Sequence, residues 1–391
     1  MPETLPAAAW TKREDLAELV AALGPGNARY VGGAVRDTLL GLEAHDIDIA
    51  TPLEPAEVIA RLDAAGIRSV PTGLKHGTIT AIREGDNVEI TTLRRDVATD
   101  GRHADVAFSH DWREDAARRD FTINALYADP ATLEVFDYFG GLEDLHDKRV
   151  RFIGDARQRI REDHLRILRY FRFQVRFGSQ SADNESENAC AELASMLKGL
   201  SRERIGWELQ NLLALPDPAS TVARMAELGV LGVILPEADP AGLARLIEAE
   251  AREGIEADPI RRLAGLLPPD PAAAEQVAAR LRLSIAQKKR LILAARRSEQ
   301  SEPRALAYRI GREAALDRLL LTGQETAALR GWHAPTFPLK GGTIVARGVA
   351  AGPEVARILR AVEAQWIVEG FPDEERVAEL LDTALVGQRS P

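Results

Sequence analysis

Residues 30–50 read Tyr30-Val31-Gly32-Gly33-Ala34-Val35-Arg36-Asp37-Thr38-Leu39-Leu40-Gly41-Leu42-Glu43-Ala44-His45-Asp46-Ile47-Asp48-Ile49-Ala50. A short apolar run ends in a glycine pair, a helical segment follows, and Gly41 stands where that helix can stop. The text then turns strand-like. In a strand, side chains alternate, so Asp46 and Asp48 share one face while Ile47 and Ile49 enter the core on the other.

A helix that starts behind two glycines offers open backbone amides to a phosphate chain, because no Cβ blocks the approach and the helix dipole favours anions. Gly32 and Gly33 are therefore candidate phosphate contacts, and Arg36, one turn inside, adds a forked donor. A glycine pair alone is equally an ordinary strand-to-helix turn. The acidic pair that follows adds the chemistry: two carboxylates forced together repel unless a cation sits between them. Hard oxygen ligands of this kind suit Mg²⁺, which completes its octahedron with water and substrate phosphates. Such a metal activates a hydroxyl and steadies a pyrophosphate leaving group, as nucleotidyl transfer requires.

Outward from this stretch, residues 28–140 hold nearly all the β-like text: 28–31, 46–50, 78–82, 88–93 and 133–137, with helical patches at 34–40 and 55–65. From about Gln158 amphipathic helical stretches run to the end, broken at Pro216, Pro236, Pro259, Pro268 and Pro338. The expected fold class is α+β, a small mixed sheet with helices followed by an all-α remainder. The expected divisions are a helical extension over 1–27, a catalytic head over 28–150, a helical neck over 151–240 and a helical body and tail over 241–391. The polar segment 179–188 reads as an exposed loop between helices.

Composition narrows the class. The chain has 391 residues, 45% hydrophobic and 28% charged, with 50 basic against 60 acidic residues and a net charge of -10. A disordered tail protein is excluded, and no global charge favours nucleic acid or an anionic membrane, so any polyanion site must be local. One cysteine, Cys190, excludes an internal disulfide and a Cys-rich zinc module, and fits a reducing, cytoplasmic setting. No apolar run approaches the roughly 20 residues that cross a bilayer.

Two further motifs stand out. In residues 118–127, RRDFTINALY, Asp120 and Asn124 are spaced i, i+4, which predicts one helical face with Asp120 as a possible N-cap. In residues 162–173, EDHLRILRYFRF, Asp163, Arg166, Arg169 and Arg172 recur every three residues and predict a stripe winding along one side of a helix. Residues 151–176 hold eight arginines against three acids, so a +5 segment lies inside an acidic protein and predicts a local anion site. Between the acidic pair and the first of these motifs, residues 94–103 read as a mobile polar loop. Glu89, on the strand before it, is either a third carboxylate beside Asp46 and Asp48 or the partner of an arginine.

The run VGGAVRDTLLGLEAHDIDIA resembles the signature of the bacterial-type, class II tRNA nucleotidyltransferase and poly(A) polymerase family, within the polymerase-β nucleotidyltransferase superfamily. The resemblance covers about residues 28–240. It implies that Asp46 and Asp48 are catalytic and hold Mg²⁺, and that Gly33 and Arg36 contact the incoming nucleotide. It implies a nucleotide contact for Arg119, a role near the ribose for Asp120 and Asn124, and a base-selecting role for Asp163 and Arg166. Arg169 and Arg172 would reach the nucleotide or its phosphates. The expected activity is template-independent addition or repair of the 3′-terminal CCA of tRNA from CTP and ATP. The family's other forms stay open: a poly(A) polymerase, or an enzyme adding C only or A only. The acidic balance and the lack of a long basic tail favour a compact substrate over arbitrary RNA ends. The loop at 94–103 corresponds to one that matters for the switch to adding A, which favours an A-adding enzyme. From a different class, the chain could be a non-catalytic RNA-binding module, against which the intact acidic and basic motifs speak.

Residues 279–297 contain seven Lys or Arg and no acid, and Lys288, Lys289 and Arg290 are candidate contacts to the tRNA backbone, set against an ordinary solvated helix face. The expected partners are tRNA, CTP and ATP, with no membrane and no DNA. Only His333 lies beyond His164, so a histidine-based metal phosphohydrolase cannot be assembled in the second half.

Overall fold

A computed structural model of the chain describes residues 3–44, 46–83, 87–99, 104–179, 182–297 and 302–386. It divides into two compact units, Met1–Pro236 and Glu237–Pro391. The first is mixed α and β, and the second is helical among its described residues.

In the first unit, strands β1 (Arg29–Val31), β2 (Asp48–Thr51), β3 (Ser69–Gly73), β4 (Thr78–Ala81) and β5 (Val88–Thr92) precede a hairpin of β6 (Arg94–Thr99) and β7 (Ala104–Phe108). After it come β8 (Leu126–Ala128) and β9 (Val135–Asp137). Seven strands form one sheet in the order β3-β4-β5-β2-β1-β8-β9, in which β2 and β5 run parallel and the other neighbours antiparallel. The alternation read in the sequence sets the register. Asp48 lies opposite Val31 on β1 and beside Glu89 on β5, while Ile47 and Ile49 are buried. Asp46 precedes the strand and is exposed.

The α+β expectation holds, but four local readings are corrected. Residues 118–127 are not a helix: Thr122–Asn124 form a single 3₁₀ turn, and Leu126–Ala128 become a strand paired to β1. Sheet pairing outweighs the i, i+4 pattern here. The polar stretch from Arg94 is a hairpin rather than a loop, with the turn at 100–103 outside the described residues. Of segment 179–188, residues from Asn184 open a helix capped by the Asp183 carboxylate, and Ser186 and Glu187 are buried. The arginine helix begins only at Arg166. Asp163 ends the preceding Ala156–Glu162 helix in an extended conformation, so the stripe is split by a bend.

In the second unit, Pro259 starts a helix rather than ending one. Three Asp-Pro pairs, Asp239-Pro240, Asp258-Pro259 and Asp270-Pro271, each place the carboxylate at the N-cap, accepting from a backbone N–H in the first turn, and the proline at the first helical position. Trp366 anchors the core between the Pro353–Val368 and Glu374–Val386 helices, packed with Ile344, Ile358, Val362 and Leu381. No helix among the described residues is long and apolar enough to cross a membrane.

Candidate active site

A cleft of about 420 Å³ opens over the start of β2, and ten of the residues singled out from sequence line it. Its floor is the glycine turn. Gly32 has φ +70° and donates its N–H to Leu126 O at 3.1 Å, tying the turn to β8. A Cβ there would stand 3.4 Å from the Arg119 guanidinium, so the glycine meets both a backbone and a space requirement.

Arg36 is 5% exposed and does not extend freely toward solvent. Its Nε donates to Asp37 and its Nη1 to the Asn124 side-chain carbonyl, while its guanidinium lies 4.1 Å from the Phe177 ring centre. Asn124 in turn donates to Asp120 at 2.9 Å, and Asp120 accepts Arg169 Nε at 2.8 Å. The chain Arg36–Asn124–Asp120–Arg169 thus joins the glycine helix, the 3₁₀ turn and the arginine helix. The i, i+4 pair of the sequence does meet, across a turn rather than along a helix. Burial by itself would raise the Asp120 pKa, but the Arg169 charge and the hydrogen bonds from Asn124, Arg169 and Phe121 N–H bring it down to about 2.

Arg119 is fixed by residues the sequence reading passed over. It donates to Asp115 and to the Tyr127 hydroxyl, each at 3.2 Å, and Tyr127 donates to Asp115 at 2.7 Å. Burial opposes the Asp115 charge, yet Arg119, Arg118 and the Tyr127 hydroxyl hold its pKa at about 2. Arg118 lines the cleft as well.

At the far wall Asp163 accepts Leu165 N–H at 3.1 Å on one oxygen and Arg204 Nη2 at 2.7 Å on the other. Arg166 gives Nη1 to Glu162 and to Arg159 O, and Nη2 to Arg118 O. Of the five guanidinium hydrogens this leaves two, on Nε and Nη2, for a ligand. Arg172 is not brought into the cleft: it pairs with the buried Glu208 at 2.7 Å, which also lies 3.8 Å from Arg169. Asp115, Tyr127, Arg204 and Glu208 are the missed members, and no local motif spacing marks them.

Asp48 faces the cleft from β2. Burial raises its pKa, the adjacent Glu89 raises it further, Arg119 lowers it and Asp46 raises it, for a value of about 6. Negative charge is therefore under-compensated at this point, where a cation is the natural complement. Among the described residues no group of three His, Cys, Asp or Glu side chains is gathered to hold a metal ion, so a cation here would take part of its shell from water or substrate.

In the second unit, Arg290 is not an open cation: it pairs with Asp317 at 2.6 Å, Asp258 at 2.9 Å and Glu313 at 2.7 Å. Lys288 pairs with Glu275 at 2.7 Å, and Lys289 is exposed. The +7 stretch is thus partly neutralised by acids distant in sequence.

Comparison with known proteins matches this architecture. Residues 28–151 fit the family model for a poly A polymerase head domain, and residues 182–241 that for a probable RNA and SrmB- binding site of polymerase A. The chain is 38% identical over 369 residues to the mouse mitochondrial CCA tRNA nucleotidyltransferase 1, covering 89% of this chain and 84% of the relative. It is 38% identical over 371 residues to the human mitochondrial enzyme of the same name, with the same coverage. The crystal structure of the Bacillus stearothermophilus CCA-adding enzyme in complex with CTP superposes with a TM-score of 0.74 at 27% identity, over 97% of this chain and 99% of that one. With motifs, sheet topology and near full-length similarity in agreement, the chain belongs to the class II tRNA nucleotidyltransferase and poly(A) polymerase family.

Proposed function

We propose that this nucleotidyltransferase completes or repairs the 3′-terminal CCA of tRNA, adding C from CTP and A from ATP without a nucleic-acid template. The observation that carries the reading is the single cleft in which a glycine turn, an acidic strand edge and an Asp/Arg wall converge. In the reaction the primer 3′-hydroxyl oxygen bonds to the α-phosphorus of the nucleotide while the bond to pyrophosphate breaks.

Asp46 and Asp48 fit Mg²⁺: the donors are hard oxygens, and Asp48 carries charge that its surroundings do not balance. When bound, the metal supplies positive charge to the attacking hydroxyl and to the leaving pyrophosphate. The other roles belong to the chain's own groups. Gly32, Gly33 and Arg36 form the phosphate cradle, Arg119 adds a fixed positive charge, and Asp120 with Asn124 faces the sugar. Asp163 offers acceptors and Arg166 its two remaining donors to the base edge, the complement of the amino group and ring nitrogen shared by C and A. Arg169 orients Asp120 and stays within reach of the nucleotide, whereas Arg172 acts through Glu208. The tRNA arm would run over the helical segments beyond residue 150, with Lys288 and Lys289 as backbone contacts and Arg290 as their structural support. We place the protein in the cytoplasm on its lone, buried thiol.

The test supplies Mg²⁺ and tRNA transcripts ending before CCA, after C and after CC, with CTP, ATP or both, and resolves products at single nucleotides. Addition that stops at CCA supports the reading. Long A tracts on any RNA would make the protein a poly(A) polymerase, and addition confined to C or to A half of a two-enzyme system.

A further inference from the structure

We propose that Arg204 is a positioning residue for nucleotide choice, acting through Asp163. The inference rests on the base-reading role given to Asp163 above and adds a residue that does not line the cleft itself.

Asp163 sits at the bend between two helices, in extended backbone, where no helical hydrogen-bond ladder fixes its side chain. Two contacts orient the carboxylate. One is local, Leu165 N–H to Oδ1 at 3.1 Å; the other comes from the Arg202–Leu213 helix, 41 residues on, as Arg204 Nη2 to Oδ2 at 2.7 Å. A carboxylate offers about four lone-pair sites, so these two donors leave roughly two to face a base. Remove the arginine, and the carboxylate can turn about its χ2 bond on a single local contact. Its free acceptors then no longer hold one direction.

The exposure of the pair fits a directional role better than a stabilising one. Arg204 and Asp163 side chains are 37% and 29% exposed, a setting in which an ion pair adds little to folding stability. Arg166, the other half of the reading edge, is held independently by Glu162, Arg159 O and Arg118 O. Each half of the edge thus has its own clamp from a separate element, Arg118 O for Arg166 and Arg204 for Asp163. Selection by a fixed edge needs both halves preorganised, since a mobile acceptor accommodates the wrong base by turning.

The experiment measures single-nucleotide addition by Arg204→Ala, Arg204→Lys, Asp163→Ala and the double variant Asp163→Ala/Arg204→Ala. For each, kcat/KM is compared for CTP against UTP and for ATP against GTP. Circular dichroism melting checks that the variants fold. Arg204→Ala should lower discrimination roughly tenfold, the scale of one charged hydrogen bond, with the loss in KM of the correct nucleotide more than in kcat. Arg204→Lys should restore part of it, and Arg204→Ala should add nothing once Asp163 is gone. Unchanged discrimination in Arg204→Ala, or additive losses in the double variant, would overturn the positioning role while leaving base reading by Asp163 intact. Discrimination that survives Asp163→Ala itself would overturn the base-reading role, and the positioning role with it. Should Arg204→Ala fail to fold, the Lys variant with its ratio of nucleotide preferences decides the same question.

Discussion

Asp48→Asn separates the catalytic value of the acidic strand edge from its structural cost. Asp48 is raised from 3.8 to about 6 by burial and by Glu89, so the folded state binds its proton more tightly than the unfolded chain does. Two pKa units correspond to about 3 kcal/mol at most. The sign follows from linkage: the folded state holds more protons between pH 3.8 and about 6, so stability falls as pH rises through that window and stays lowered above it. An asparagine has no charge to bury. At pH 7.5, without divalent metal, Asp48→Asn should therefore melt higher than the parent, by up to roughly 10 °C for a unit of this size. At pH 4 the folded carboxyl is protonated and the unfolded one is only a little over half ionised, so the gain should shrink below about 1 kcal/mol. Millimolar Mg²⁺ should raise the melting temperature of the parent and leave the variant unmoved, while turnover is lost. Calorimetric or dichroism melts at the two pH values are the assay. An equal gain at pH 4 and 7.5, or a loss at pH 7.5, would refute the account of Asp48 as an uncompensated charge.

Other perturbations address the remaining parts. Arg290→Ala leaves Asp317, which is 0% exposed, with the more distant Arg261 at 3.6 Å, and should cost up to about 3 kcal/mol in thermal or denaturant unfolding; a loss under about 1 kcal/mol would show that the network is replaceable. Reversing only Lys288 and Lys289 to Glu should raise KM for tRNA severalfold at physiological salt and leave KM for CTP alone, because both lie on an accessible helix. Unchanged tRNA kinetics would remove this contact. Gly32→Ala should destabilise by about 1–2 kcal/mol for its positive φ and raise KM for both nucleotides; normal nucleotide affinity would mean that the turn does not approach phosphate.

The candidate site was legible where chemistry is written locally. Asp46 stands just ahead of the strand that Asp48 opens, Gly32-Gly33 form a strand-to-helix turn, and the Asp163–Arg166 spacing falls within one bend, so neighbours in sequence are neighbours in space. Asp120 and Asn124 were paired correctly for a partly wrong reason. Their contact survives because a 3₁₀ turn also brings i and i+4 together, while β8 takes over where a helix was expected. The hairpin from Arg94 escaped the reading because its two strands pair only with each other and the first opens on the charged Arg94-Arg95-Asp96, without the apolar alternation that announces a half-buried strand.

By itself the sequence determined the α+β class, the helical second half, the metal-compatible strand edge and the family, since each depends on periodicity or on short motifs. The tertiary structure alone decided which arginines are available to a ligand. Arg172 and Arg290 look like Arg166 and Lys289 in sequence, yet Glu208, Asp258, Asp317 and Glu313 neutralise them from 23 to 36 residues away. Arg204 reaches Asp163 across 41 residues in the same way. A charge's role is set by the nearest opposite charge, and in a folded chain that neighbour is chosen by packing rather than by spacing.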